Sequence, residues 1–145
     1  MSERNFWNYV RKSLPDVKMN RVENRVSEGM PDVHYIKDGK SGWIELKYLA
    51  EWPARNKICV GLRLNQSFWL DEYKQLKGRC WILIRIGREF VGLIDGADAK
   101  KVYEKIPVKE LLDCFVYKKF GSMSPAFQLD EYRQLKGRCW ILIRS

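Results

Sequence analysis

The sequence predicts a single α/β domain in which helices flank a mixed central sheet. The chain has 145 residues, 46% of them hydrophobic, which is enough to bury one core but not to divide into several domains. Segments with strand-like alternation and segments with helical spacing follow one another along the chain. This order, with a helix between strands, is typical of helices packed on a mixed sheet.

The first predicted element is a helix over residues 2–13. Phe6 and Val10 recur at helical spacing, so one face should pack on the core. Ser2 is the candidate N-cap, and Pro15 should end the helix because proline cannot continue it.

Six segments then read as strands, on alternation or on a continuous apolar run. Lys37-Asp38-Gly39-Lys40 should form a hairpin turn, because Asp-Gly tolerates positive φ. Gly87 should join the last two strands of the series. The predicted strands are 17–26, 32–37, 42–49, 57–63, 80–86 and 89–95.

Two further stretches are expected to be helical. Asn65 is the candidate N-cap of a helix that runs to about Lys77 and ends at Gly78. Residues 97–112 should also be helical, with an interruption at Pro107.

One helix-strand unit occurs twice. FWLDEYKQLKGRCWILIR at 68–85 returns as FQLDEYRQLKGRCWILIR at 127–144, and the copies differ only at Trp69/Gln128 and Lys74/Arg133. Two units are too few for a solenoid. We expect residues 1–95 to form the core and residues 96–145 an extension whose copy packs peripherally, exchanges with the first copy or mediates assembly.

Composition restricts the partners and the compartment. The net charge of +9, from 27 Lys and Arg against 18 Asp and Glu, favours a polyanionic partner, although an ordinary basic protein has the same balance. No apolar run approaches the roughly 20 residues of a membrane span, and the N-terminus lacks a signal-peptide core, so a cytosolic protein is expected. A lone His34 and four cysteines without CxxC spacing make a zinc site unexpected.

The chemistry is concentrated in GMPDVHYIKDGKSGWIELK, residues 29–47. Glu45 and Lys47 share one strand face, and the hairpin should bring Asp32 towards them. Two carboxylates and a backbone carbonyl make an oxygen site suited to Mg²⁺. The alternative is a solvated Glu–Lys pair beside a turn at Pro31-Asp32, since the ExK pattern is very short.

Further residues extend this set into a recognisable order. Glu23, Gly29-x-Pro31-Asp32, Gly42-Trp43-Ile44-Glu45-Leu46-Lys47 and Gln66-x-x-Trp69 resemble the motifs of the PD-(D/E)XK nuclease superfamily. The closest similarity within it is to small stand-alone phage and bacterial proteins with the virus-type replication-repair nuclease (VRR-NUC) domain, which are related to Holliday-junction resolvases. The resemblance covers about residues 5–95 and implies a restriction-endonuclease-like domain.

The resemblance implies a role for each residue of the catalytic set, which comprises Glu23, Asp32, Glu45, Lys47 and Gln66. Asp32 and Glu45 would bind Mg²⁺ or Mn²⁺ together with the Leu46 carbonyl. Lys47 would position and activate the attacking water, and Gln66 would orient Lys47 or contact phosphate. Glu23 would ligate a second metal or hold Lys47.

Basic and aromatic residues near these motifs are candidates for DNA contacts. Basic side chains could hold phosphates, or could be ordinary solvated loop charges. The candidates are Arg21, Arg25, Lys40, Arg55, Lys57 and Arg63. Trp43, Trp52 and Trp69 could stack on bases, but core packing is the more frequent role of tryptophan.

The expected activity is that of a magnesium-dependent endodeoxyribonuclease in the cytosol of a bacterium or a phage-infected host. Structure-selective cleavage of branched or junction DNA is the first expectation, and sequence-specific cleavage, as in homing or restriction enzymes, is the alternative. A non-catalytic DNA-binding or assembly protein on a nuclease-like scaffold is the alternative from another class. Cutting both strands needs two active sites, so a homodimer or higher symmetric assembly is expected.

Overall fold

The computed structural model describes residues 3–22 and 28–120 and contains a six-stranded mixed sheet with helices on both faces. The strands are β1 (Lys18–Arg21), β2 (Val33–Lys37), β3 (Lys40–Leu49), β4 (Lys57–Ile58), β5 (Cys80–Ile86), β6 (Phe90–Asp95), β7 (Ile106–Pro107) and β8 (Phe115–Phe120). The helices are α1 (Glu3–Ser13), α2 (Leu64–Gln75), α3 (Ala99–Val102) and α4 (Val108–Cys114). This architecture confirms the predicted fold class.

The sheet order is β1-β2-β3-β5-β6-β8, and β4 pairs with β7 in a separate two-stranded sheet. Within the large sheet β3 and β5 are parallel, whereas the other neighbouring pairs are antiparallel. The connection from β3 to β5 carries α2, which is the usual solution for joining parallel neighbours. The N-terminal turn of α2 is thereby brought beside the middle of β3.

Two hydrophobic cores lie on opposite faces of this sheet. Alternate residues of β5 enter them: Trp81 and Leu83 face α1, while Ile82 and Ile84 join the core on the α2 side. Because both faces of β5 are covered, the strand is an uninterrupted apolar run. Strand β3 alternates in the same way, which places Glu45 on the α2 side.

The first two helix predictions are correct in position, with one wrong start. Helix α1 ends at Ser13, close to the predicted boundary, and Ser2 lies outside the described residues. Asn65 is not the N-cap of α2, because that position is held by Arg63. The N–H of Arg63 donates to Gln66 Oε1 at 2.9 Å. The backbone N–H of the N-cap residue is therefore satisfied by a side chain from the first turn of the helix.

The predicted strand 57–63 is wrong beyond its first two residues, Lys57 and Ile58. Val60 and Leu62 are buried and so preserve the alternation that favoured a strand. Gly61 between them has φ +84°, which breaks the extended conformation. Residues 59–63 therefore form an irregular connection, in which burial alternates without strand pairing.

The other strand predictions agree with the structure apart from their ends. β1 covers only Lys18–Arg21 of the predicted 17–26, and residues 23–26 lie outside the described part of the chain. Asp32 precedes β2, which begins at Val33. The hairpin turn is confirmed, with Asp38 and Gly39 at positive φ.

The segment after β6 is more divided than the predicted helix 97–112. The carboxylate of Asp95 accepts the N–H of Ala97 and caps a 3-10 turn over Gly96–Asp98, which leads into α3. Strand β7, at Ile106–Pro107, separates α3 from α4, because a residue before proline favours an extended backbone.

Sequence reasoning assigned no element to β8, which pairs antiparallel with β6 and extends the main sheet. The division into residues 1–95 and 96–145 stays a prediction, and the repeated unit at 127–144 lies outside the described residues. In the part of the chain that is described, no helix combines the length and apolarity of a transmembrane span.

Candidate active site

The two predicted metal-binding carboxylates meet at the end of the β2–β3 ladder. Val33 and Ile44 form a pair in that ladder, so Asp32 and Glu45 come next on the two strands. The N–H of Asp32 donates to Glu45 Oε1 at 3.2 Å, and Asp32 Oδ2 accepts the N–H of Leu46 at 3.2 Å. Each carboxylate is therefore bound to the backbone of the other strand.

Both carboxylates are withdrawn from water, with Asp32 5% and Glu45 2% exposed. Burial first, and the neighbouring Asp32 charge second, raise the pKa of the Glu45 carboxyl to about 7 against the opposing effect of Lys47. Two buried negative charges side by side are unfavourable, and an added cation would relieve both the burial cost and the repulsion.

Gln66, buried in the first turn of α2, connects the two sides of the cluster. Its Nε2 donates to Glu45 Oε2 at 2.7 Å, and its Oε1 accepts from Lys47 Nζ at 3.1 Å. The same Oε1 accepts the N–H of Arg63. This fixes the amide orientation, because a flipped amide would point its NH₂ group at the two donors, Lys47 Nζ and the Arg63 N–H. Gln66 thus holds helix and strand in one hydrogen-bonded network.

Lys47 lies on the more open side of this network. Its Nζ is 3.1 Å from Glu45 Oε2, and its side chain is 16% exposed, against 2% for Glu45. The shared strand face predicted for Glu45 and Lys47 is present. The ammonium group is therefore fixed by two partners and still reachable from solvent.

The backbone of Leu46 faces the Asp32 carboxylate. Its N–H points to Asp32. Because the N–H and C=O of one strand residue point the same way, the Leu46 carbonyl also faces the Asp32 side. A third oxygen is thus available beside the two carboxylates.

Gly29 determines how closely the motif loop approaches α2. Its φ is +82°, and a Cβ built there would lie 2.4 Å from the carbonyl oxygen of Asn65 and 3.1 Å from the N of Gln66. Only glycine allows this contact. Sequence reasoning quoted Gly29 within the motif but did not identify its packing role.

The structure places the predicted DNA-contacting residues at different distances from this cluster. Arg21 pairs with Val33, directly beside Asp32, and Arg63 begins α2. Lys40 lies at the hairpin turn, five strand residues from Glu45, which corresponds to about 17 Å. Lys40 therefore lies apart from the carboxylates, and its predicted DNA contact stays a prediction.

Other predicted residues belong to the connection that contains β4 or lie outside the described residues. Lys57 belongs to the separate β4–β7 sheet, and Arg55 is exposed on the same connection. Glu23 and Arg25 lie outside the described residues. The nearest described residue to Glu23 in the chain is Val22, whose N–H donates to the Asp32 carbonyl at 2.8 Å.

The donor atoms fit a hard divalent cation. Within residues 3–22 and 28–120, no three His, Cys, Asp or Glu side chains come together. The available set is two carboxylates and a backbone carbonyl, which is the oxygen chemistry of Mg²⁺ or Mn²⁺ and lacks the nitrogen and sulfur donors that zinc prefers.

Comparison with known proteins gives a fold and no closer relationship. No protein-family model matches the sequence, and no curated protein matches it. The structure is similar to that of Hjc, a Holliday junction resolvase from the archaeal hyperthermophile Archaeoglobus fulgidus, with a TM-score of 0.51 and 17% sequence identity over 74% of this chain and 85% of that chain. The chain therefore has a restriction-endonuclease-like fold.

Proposed function

We propose that this protein is a metal-dependent endonuclease that hydrolyses DNA phosphodiester bonds, with a preference for branched or junction DNA. The observation that carries the proposal is the convergence of Asp32, Glu45, Lys47 and Gln66 in one buried network linked by contacts of 2.7–3.2 Å. A protein that needed only affinity for DNA would gain nothing from buried carboxylates where phosphates must approach.

Asp32, Glu45 and the Leu46 carbonyl would hold Mg²⁺ or Mn²⁺. Such an ion supplies positive charge to a phosphate oxygen and makes water a better nucleophile near neutral pH. The buried, like-charged pair of carboxylates provides the site with its affinity for cations. Glu23, one residue beyond Val22, would add a ligand or hold Lys47.

Lys47 would orient the attacking water and stabilise negative charge on the phosphate as the bond breaks. Two partners, Glu45 and Gln66, hold its ammonium group, so little reorganisation is needed during reaction. Gln66 acts through Lys47 and Glu45 and is a positioning residue in this scheme.

The substrate class is supported by charge and by fold. The net charge of +9 favours a polyanion, and Arg21 beside Asp32 and Arg63 at the start of α2 would neutralise phosphates near the carboxylates. The likeness to a Holliday junction resolvase supports branched DNA over sequence-specific cleavage. Paired strand cuts would require a symmetric assembly with two sites.

The test is a cleavage assay with linear duplex, single-stranded DNA and a four-way junction. We expect cutting with Mg²⁺ or Mn²⁺, strongest on the junction, and binding without turnover in Ca²⁺. Asp32→Asn provides the control for contaminating nucleases. Undiminished cutting in excess EDTA would refute metal dependence, and tight binding without cutting in any metal would favour the non-catalytic alternative.

A further inference from the structure

Four aromatic rings form a continuous row beside the candidate active site. The ring centroids of His34 and Trp43 are 4.9 Å apart, and those of Trp43 and Trp69 are 5.9 Å apart, both edge to face. Trp69 and Tyr73 are stacked at 4.9 Å with an interplanar angle of 12°. The row crosses from β2 over β3 to α2.

The first two rings of this row lie next to the two carboxylates on the sheet. His34 and Trp43 are strand partners, and they are displaced by two residues from Asp32 and Glu45, so both pairs share one face of the sheet. On α2, Trp69 and Tyr73 follow Gln66 by about 4.5 Å and about 10.5 Å along the helix axis. The row therefore leads away from Gln66 along the helix.

The far end of the row is open to solvent. Trp43, Trp69 and Tyr73 pack on the edge of the α2-side core and are only partly buried. A cleft of about 300 Å³ is lined by Trp69, Glu72, Tyr73 and Leu76, and Leu76 is 75% exposed. Trp69 and Tyr73 stack on each other, and each remains partly exposed at the cleft.

The lining of the cleft determines which ligand it suits. Aromatic rings and Leu76 favour a flat, uncharged ring, because base stacking on aromatic side chains tolerates any base. An ionised Glu72 only accepts hydrogen bonds, so it repels phosphate and favours a ring that carries an amino group. This combination fits a nucleobase and disfavours the sugar-phosphate backbone.

We propose that this cleft binds an unpaired, amino-bearing nucleobase of the DNA strand that is cut, a few nucleotides from the scissile phosphate. The inference rests on the proposed function and deepens it, since a base inside a duplex has no free face to offer. Binding one unpaired base beside the carboxylates would select branches that carry an unpaired strand, such as flaps. The repeated unit at 127–144 lacks this ring, with Gln128 at the position of Trp69.

The test measures affinity rather than cleavage, by fluorescence anisotropy in Ca²⁺. The probes are a blunt duplex and the same duplex with a short single-stranded flap of cytosines or of thymines. Trp69→Leu should weaken binding of the cytosine flap about tenfold and leave the blunt duplex within about twofold. Trp52→Leu is the matched control, because Trp52 also packs on the α2-side core but contacts Phe90 instead.

A second variant guards against a folding defect. Glu72 is exposed, so Glu72→Ala should fold normally, and it should lower the affinity for the cytosine flap a few-fold relative to the thymine flap. Equal affinity of the wild-type protein for flap and blunt DNA, or equal losses in Trp69→Leu and Trp52→Leu, would overturn the inference. Cleavage without this flap dependence would leave the proposed function standing, whereas flap dependence without cleavage would support the cleft and refute the nuclease.

Discussion

The Cα of Gly29 packs directly against the carbonyl group of Asn65, with room for no side-chain atom between them. This contact joins the loop that precedes Asp32 to the first turn of α2, which carries Gln66. The distance between the strand carboxylates and the helix amide therefore depends on a glycine that has no chemistry of its own.

Gly29→Ala should destabilise the protein more than an alanine at other left-handed positions. Gly39 and Gly61 have φ +78° and +84° and nothing within 4 Å of a built Cβ, so alanine there adds only backbone strain, about 1–2 kcal/mol. At Gly29 the clash with backbone atoms adds to that strain. Urea unfolding of the three variants tests this, and equal losses would contradict it.

Lys47→Ala should reduce turnover by about 10²–10³ while DNA affinity stays within a small factor. A positioned charge acts mainly on the transition state, whereas one of 27 basic residues contributes little to phosphate attraction. Lys12→Ala, at an exposed lysine of α1, is the control. Single-turnover rates and anisotropy separate the two effects, and normal cutting by Lys47→Ala would remove Lys47 from the mechanism.

Metal-free protein should lose stability as pH rises from about 4.5 to about 7. The folded-state pKa of Glu45 is raised from 4.5 to about 7, so the folded protein holds a proton that the unfolded chain releases, and this stabilisation disappears through that window. The upper limit is about 3 kcal/mol. Urea unfolding in EDTA at several pH values should show a smaller slope for Glu45→Gln, and identical slopes would contradict the assignment.

Adding Mg²⁺ at pH 8 should raise the unfolding temperature of the wild-type protein. A ligand that binds only the folded state stabilises it by an amount that grows with the logarithm of its concentration over Kd. Glu45→Gln and Asp32→Asn should lose most of this increase, because each removes a charged ligand oxygen. An equal increase in all three proteins would place the metal elsewhere.

Truncation after about Gly121 should leave metal-dependent cleavage intact and change the oligomeric state or solubility. The described strands end with β8 at Phe120, so the truncated chain retains every strand of the described sheet. The removed copy has Pro125 where the first copy is preceded by Gln66, so it should not build a second site. Light scattering and cleavage assays decide this, and a soluble, inactive truncation would mean that the copy helps to form the site.

Local patterns in the sequence predicted much of the framework. Asp38-Gly39 indicated the hairpin, and the period of two placed Glu45 and Lys47 on one face. The same reasoning failed at 57–63, where alternating burial occurs without strand pairing beyond Ile58. It also failed at Asn65, because the N-cap is Arg63, whose N–H donates to the side chain of Gln66. It also did not reveal that Lys40 lies about 17 Å from Glu45, because proximity in sequence says little about distance along an extended strand.

The sequence by itself determined which residues are candidates for the site and which of them share a face, since side-chain direction follows from the local backbone period. Only the tertiary structure decided that Gln66 bonds Lys47 across 19 residues, that Gly29 packs on Asn65, and that the ring of Trp69 continues the row begun by His34. Those contacts depend on how α2, which connects the parallel strands β3 and β5, is positioned on the sheet. That position results from packing on the sheet, which no local propensity encodes.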